Sequence, residues 1–337
     1  MARPLMLKAS KANTYAFIRR ALRETKLITM IIYFPDPDVD WSKKHCGTYF
    51  YKPKNKNYLG ESEEKPPLLV ISHGGPTSAT SNALNLSIQY WTNRGFAVVD
   101  VNYRGSTGYG KNFRDSLKGN WGLYDTDDCI AAVDFLSEKG LVDSSRVAIK
   151  GGSAGGYTTI NALTFHNRFA VGATYYGIAD LSVFIDDTHK FESKYLESLI
   201  GKYPEEKEKY YKRSAINFTD QLSCPMIIFQ GTEDKIVPPS QAEIMAQGLR
   251  DKKIPFSLVM YEGEQHGFRQ SKNIISSLKS ELYFYSQVLG FEPFDKLKTG
   301  SFLVVSTSVW LNKNPRLINN KTCFILSPFS FLYVLSE

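Results

Sequence analysis

The sequence predicts an α/β architecture, a mostly parallel central sheet with helices on both faces. Two observations carry this. From about residue 66, short β-rich runs alternate with helical stretches. The β-rich runs are also apolar along their whole length, the pattern of strands covered on both sides.

Taken in order, "PLLVIS" (67–72) and "GFAVVDVNY" (95–103) are strands. "DTDDCIAAVDFLSEKG" (125–140) is an amphipathic helix stopped by glycine. "RVAIKG" (146–151) is a strand and "SAGGYTTINALTFH" (153–166) a helix. "FAVGATYYG" (169–177) and "PMIIFQG" (225–231) are strands. "SQAEIMAQGLRDKK" (240–253) is a helix, "FSLVMYE" (256–262) a strand, and "KNIISSLKSELYFYSQVLG" (272–290) a closing helix.

This rhythm defines a domain over 65–292. Inside it, 181–224 is rich in Lys, Glu and Tyr and predicts helices without a strand. An insertion so placed either covers a site or is an ordinary surface excursion. Residues 1–64 hold the strand candidates "KLITMIIYF" and "GTYFYK" and a polar linker, "KPKNKNYLGESEEKPP". Residues 293–337 form a β-prone apolar tail of no assigned role.

With 337 residues, 42% of them hydrophobic, the chain can bury one large core or two smaller ones. The 41 basic residues exceed the 34 acidic ones, giving a formal net charge of +7. They are scattered, which argues against nucleic acid as partner. Cys46, Cys129, Cys224 and Cys323 lie far apart, with no metal-type spacing. They behave as small apolar residues of a reducing compartment. No leader-like or membrane-spanning apolar run is present. The expectation is a cytoplasmic protein whose sequons at Asn85, Asn217 and Asn320 stay unmodified. A homo-oligomer is compatible with the sequence.

The stretch "KGGSAGGY" (150–157) sets four glycines around Ser153 directly after a strand. It is either a loose turn or a strand-to-helix elbow that exposes a nucleophile, the G-x-S-x-G pattern of Gly151, Ser153 and Gly155. A serine hydroxyl needs a base to take its proton and a carboxylate to orient that base. In an α/β hydrolase the partners follow as serine, acid, histidine, each just after a later strand. "PMIIFQGTEDKIVPP" offers Glu233 and Asp234, and "LVMYEGEQHGF" offers His266. All fall at C-terminal strand ends, where open α/β sheets keep their sites.

Five histidines occur: His45, His73, His166, His189 and His266. Only His73 and His266 follow strands, and His73 precedes the serine, against the order. An acyl-transfer site also needs preformed donors for the oxyanion. The N–H of Ala154, next to the nucleophile, supplies one. The second candidate is Gly75, in the loop His73-Gly74-Gly75-Pro76, which otherwise is a plain Gly-Pro turn.

The segments "SHGGPTS", "VNYRGSTGYGKNF", "GNWGLYDTDDCIAAVDFL", "RVAIKGGSAGGYTTINAL", "FQGTEDKIVPPSQAE" and "EGEQHGF" together resemble the catalytic domain of the prolyl oligopeptidase family of serine peptidases. The "HGGP" stretch is similar to its acylaminoacyl-peptidase-like branch. The resemblance spans about residues 60–292. It implies an α/β-hydrolase fold with Ser153 as nucleophile, Asp234 rather than Glu233 as acid, and His266 as base. Gly75 and Ala154 become the oxyanion donors. It implies a short peptide or acyl-peptide substrate, and no metal or cofactor.

Family members usually carry a β-propeller before this domain, and about 60 residues are too few for one. Residues 1–64 are then expected to be a remnant of the propeller connection, and the tail matches nothing in the family. The sequence therefore points to a serine peptidase. A carboxylesterase or small-acyl hydrolase is the alternative from the same chemistry, and an idle binding module with an inherited pocket the alternative from another class.

Overall fold

The computed structural model describes residues 29–32, 48–57, 60, 63–182, 184 and 193–295. The first two strands, β1 (Thr29–Ile32) and β2 (Thr48–Tyr51), fall within "KLITMIIYF" and "GTYFYK". They are followed by β3 (Leu68–Ser72), β4 (Ala97–Val101), β5 (Val147–Gly152) and β6 (Val171–Tyr175). The last two are β7 (Met226–Gly231) and β8 (Phe256–Tyr261). They form one eight-stranded sheet in the order β1-β2-β4-β3-β5-β6-β7-β8. The pairs β1–β2 and β2–β4 are antiparallel, and every other pair is parallel.

Among the described residues the helices are α1 (Leu86–Thr92), α2 (Lys111–Asp115), α3 (Tyr124–Glu138) and α4 (Ala154–Phe165). They continue with α5 (Ser193–Leu199), α6 (Lys207–Lys212), α7 (Pro239–Asp251) and α8 (Ser271–Leu289).

Strand side chains point alternately to opposite faces, so an apolar run on a central strand feeds two cores at once. Leu68, Val70, Val147, Ile149, Met226 and Ile228 pack with α3, α4 and α7 on one face. Leu69, Val98, Ala148, Ile227 and Phe229 pack with Ile88 and Trp91 of α1 and Leu282, Phe284 and Tyr285 of α8 on the other. The uninterrupted hydrophobicity of these strands is therefore the signature of a two-sided sheet. β4 and β7 are buried along their whole length.

Two helices escape the sequence reading. The segment of α1, "LSIQYWT", is short and rich in residues that also favour strands. Its start is set by Asn85, whose side chain caps the Ser87 N–H at 2.9 Å. α2 is five residues long, below what periodicity can register.

The 181–224 stretch has α5, α6 and a 3₁₀ segment (Ala215–Gln221) among its described residues, and no strand. Leu196, Leu199, Ile200, Tyr210 and Ala215 anchor it in the core shared by α3, α4 and α7. Cys129 and Cys224 are buried free thiols. His45, Cys46, His189, Asn320, Cys323, most of the 1–64 segment and tail residues 296–337 lie outside the described residues. Among the described residues, no helix is long and apolar enough to cross a membrane.

Candidate active site

Between β5 and α4 the chain turns on Ser153, with φ 55° and ψ −119°. A positive φ is costly for a residue with a side chain, so the surroundings must impose it. The Ser153 N–H donates to the Tyr175 carbonyl at 3.0 Å, and its own carbonyl accepts Tyr157 N–H at 2.9 Å. Two glycines make the turn fit. A Cβ on Gly151 would stand 2.2 Å from the Gly155 carbonyl oxygen, and one on Gly155 would stand 2.1 Å from that of Ser72. The glycines around Ser153 thus answer to close backbone approach, and the loose-turn alternative is set aside.

Asp234 sits in the loop after β7. Its Oδ1 accepts the N–H groups of Ile236 and Val237, each at 2.9 Å, and Gln230 Nε2 donates to Oδ2 at 3.3 Å. Its side chain is fully buried, whereas the neighbouring Glu233 is exposed. Burial pushes the Asp234 carboxyl upward. The hydrogen bonds from His266, Val237 and Ile236, together with the charge of a protonated His266, outweigh that and hold it below the usual carboxylate value.

His266 follows β8. Its Nδ1 donates to Asp234 Oδ2 at 2.9 Å, and its Nε2 lies 2.8 Å from Ser153 Oγ. The ring is further fixed by Tyr176, whose centroid is 4.8 Å away at an interplanar angle of 61°. The loop carrying His266 is held by Glu264. Its carboxylate accepts the backbone N–H groups of Arg269 and Gln270 and the Asn273 side chain, at 2.8–2.9 Å. Gln230, Tyr176 and Glu264 were not singled out from the sequence, because their partners become neighbours only in the fold. Glu264, two residues before the histidine, is the one of the three that proximity in sequence could have flagged.

The loop His73–Thr77 leaves β3 and runs alongside the serine turn. A Cβ on Gly74 would lie 3.9 Å from Ser153 Cβ. The Gly75 N–H and the Ala154 N–H, the latter at the first residue of α4, have no acceptor among the described residues. Ala154 follows the serine directly, and Gly75 follows the glycine that approaches it. Amides without an acceptor are suited to a developing negative charge, and the helix terminus adds to that preference at Ala154. His73, the other strand-end histidine, is bonded to the Gly74 carbonyl (2.8 Å) and Ser106 Oγ (2.7 Å) and stacks on Tyr103. Burial lowers its pKa to about 4, the Gly74 contact opposing, which keeps it neutral near pH 7.

A cavity of about 480 Å³ opens in the 181–224 region between Asp180, Tyr203, Lys207, Tyr210, Tyr211 and Asn217. Neither Ser153, Asp234, His266 nor Gly75 lines it, so it is a separate feature from the strand-end cluster.

A mostly parallel sheet covered on both faces, with a serine on a strained strand-to-helix turn, defines an α/β-hydrolase fold. The chain belongs to the prolyl oligopeptidase family, whose model matches residues 82–292. Its fold is similar to that of a Mycobacterium tuberculosis puromycin-hydrolyzing peptidase, with 42% identity and a TM-score of 0.75 over 80% of this chain and 40% of that one. It is 33% identical over 257 residues to dipeptidyl aminopeptidase BIII of Pseudoxanthomonas mexicana, covering 74% of this chain and 37% of the relative. It is 26% identical over 281 residues to an acylamino-acid-releasing enzyme of Arabidopsis thaliana, covering 77% and 32%. The chain spans roughly a third of the length of these curated relatives.

Proposed function

We propose that this chain is a serine hydrolase that cleaves peptide or acyl-peptide bonds of short substrates through an acyl-enzyme. The observation that carries the reading is one imidazole bridging Ser153 Oγ and Asp234 Oδ2, at 2.8 and 2.9 Å. Ser153 Oγ attacks the substrate carbonyl carbon as His266 Nε2 takes its proton. The carbonyl π pair moves to oxygen, where the N–H groups of Gly75 and Ala154 receive it. Asp234 accepts the Nδ1–H and stabilises the imidazolium.

The intermediate collapses, the amine leaves with the proton from Nε2, and an ester on Ser153 remains. His266 then takes a proton from water, the resulting hydroxide adds to the ester, and the acid departs as Ser153 recovers its proton. Peptide or acyl-peptide cleavage is favoured over plain ester cleavage by the relatives described above, named as a dipeptidyl aminopeptidase, an acylamino-acid-releasing enzyme and a puromycin-hydrolyzing peptidase. The free buried thiols Cys129 and Cys224 suit a reducing compartment such as the cytoplasm.

Steady-state turnover of puromycin, an acyl-peptide anilide and a p-nitrophenyl ester tests the reading. Hydrolysis of the amide substrates, abolished in Ser153→Ala, is expected. Ester turnover alone would make the protein a carboxylesterase, and no turnover of any would leave a binding module.

A further inference from the structure

The loop that presents Gly75 is held from two sides. On the core side, the Tyr103 hydroxyl lies 3.0 Å from the His73 carbonyl and 3.1 Å from the Pro76 carbonyl. On the other side, Tyr195 reaches across from α5. Its hydroxyl lies 2.6 Å from Thr77 Oγ1 and accepts the Thr77 N–H at 3.2 Å. Gly75 itself has no side chain and makes no hydrogen bond among the described residues. Its orientation therefore depends on how its neighbours are held. At φ 128° it occupies backbone space that a side chain would resist.

The helix behind Tyr195 is firmly seated. The Ser198 and Leu199 carbonyls accept the N–H groups of Gly119 and Trp121, at 3.0 and 3.4 Å. Arg213, later in the same insertion, donates to the Trp121 and Gly119 carbonyls at 3.1 and 2.8 Å. Leu196 and Leu199 are buried in the core. A rigid element thus ends in a hydroxyl that grips the residue two positions beyond Gly75.

We propose that Tyr195 is a positioning residue for the oxyanion site, acting through Thr77 to aim the Gly75 N–H. The inference rests on the function proposed above and gives the 181–224 insertion a part in it. Preorganised donors work only when they already point where charge will develop, so a small misplacement costs rate more than binding.

The test is Tyr195→Phe in the full chain, which removes both contacts, with Thr77→Val as a second variant that removes only the Oγ1 contact and keeps the backbone N–H. Melting temperatures should stay near wild type. In Tyr195→Phe, kcat on the acyl-peptide anilide should fall about tenfold, KM staying within about twofold. Inhibition by a peptide boronic acid, which mimics the tetrahedral intermediate, should weaken by the same factor, while inhibition by the product carboxylic acid should not. The double variant should be no slower than Tyr195→Phe alone, since Thr77→Val removes only a part of what that variant already removes. Unchanged kcat in both variants, or losses confined to KM, would overturn the inference while leaving the proposed function standing. A wild-type chain that turns over neither amide nor ester would remove both.

Discussion

Lys150 Nζ stands 2.5 Å from Glu281 Oε2, an ion pair enclosed between β5 and α8. Glu281 is fully buried and the Lys150 side chain only 11% exposed. Tyr175 donates its hydroxyl to the same carboxylate oxygen at 2.5 Å, and the rings of Trp91 and Tyr175 lie 5.2 and 4.9 Å from the ammonium. Lys150 is three residues before Ser153, so the pair fastens the strand that delivers the serine to the helix that follows the His266 loop.

Breaking such a pair from one side leaves a bare buried charge. Lys150→Met alone should destabilise the protein by about 3–5 kcal/mol in urea denaturation. Replacing both partners, Lys150→Met with Glu281→Leu, should recover most of that loss, since neither charge is then left uncompensated. A double variant as unstable as the single one would show that the pair contributes more than mutual neutralisation.

Asp234 and Glu233 are adjacent in sequence and opposite in environment. Asp234→Asn should keep the fold yet favour the wrong histidine tautomer, lowering kcat by about 10⁴. Glu233→Gln, at an exposed side chain, should cost less than about tenfold. Kinetics on the two purified variants decide it. The reverse order would move the acid to Glu233, and equal small losses would dismiss the triad.

Asp100, on β4, is a buried carboxyl of the sheet. Burial raises its pKa from the ordinary 3.8 to about 6, against the opposing hydrogen bond from Thr80. Between these values the folded chain holds a proton that the unfolded chain has released. This group's favourable contribution is thus complete below about pH 4 and lost as pH rises through about 6. Asp100→Asn carries no charge at any pH. Its stability advantage over wild type should therefore be largest above pH 7 and shrink on acidification to pH 5. Urea midpoints at both pH values check this, and a gap that does not change with pH would contradict it.

Much of this was legible because the relevant physics is local. The whole-length apolar runs of β5 and β7 told of a sheet covered on both faces. The glycines at 151 and 155 left a loose turn and an elbow both open, and the close backbone approach that separates the two exists only in the fold. Asp234 was separable from Glu233 only through the family resemblance. The periodicity alone left both open, and the reason for the choice, one buried carboxylate beside one exposed, exists only in the fold.

What the sequence could not convey was contact at long range. Thr77 and Tyr195 are 118 positions apart, and Lys150 and Glu281 are 131 apart. A tyrosine in a Lys- and Glu-rich insertion, or a lysine ending an apolar run, carries no local sign of its partner. Glu264 was passed over for a related reason. Its three donors come from the loop after His266 and the start of α8, and only the turn between them brings these to one carboxylate.

The central claim is that Ser153 is a nucleophile activated by His266. A fluorophosphonate forms a stable bond only to a serine oxygen whose proton a neighbouring base can take, so the location of the adduct tests the claim without any choice of substrate. Wild-type chain treated with the probe, digested and sequenced by mass spectrometry should carry the phosphonyl group on the peptide containing Ser153. Ser153→Ala should carry none, and His266→Ala should label at least a hundredfold more slowly, the low end of what a positioned general base contributes at about 10²–10⁴. An unmodified Ser153 in folded wild-type protein, or an adduct that persists in Ser153→Ala, would contradict the account.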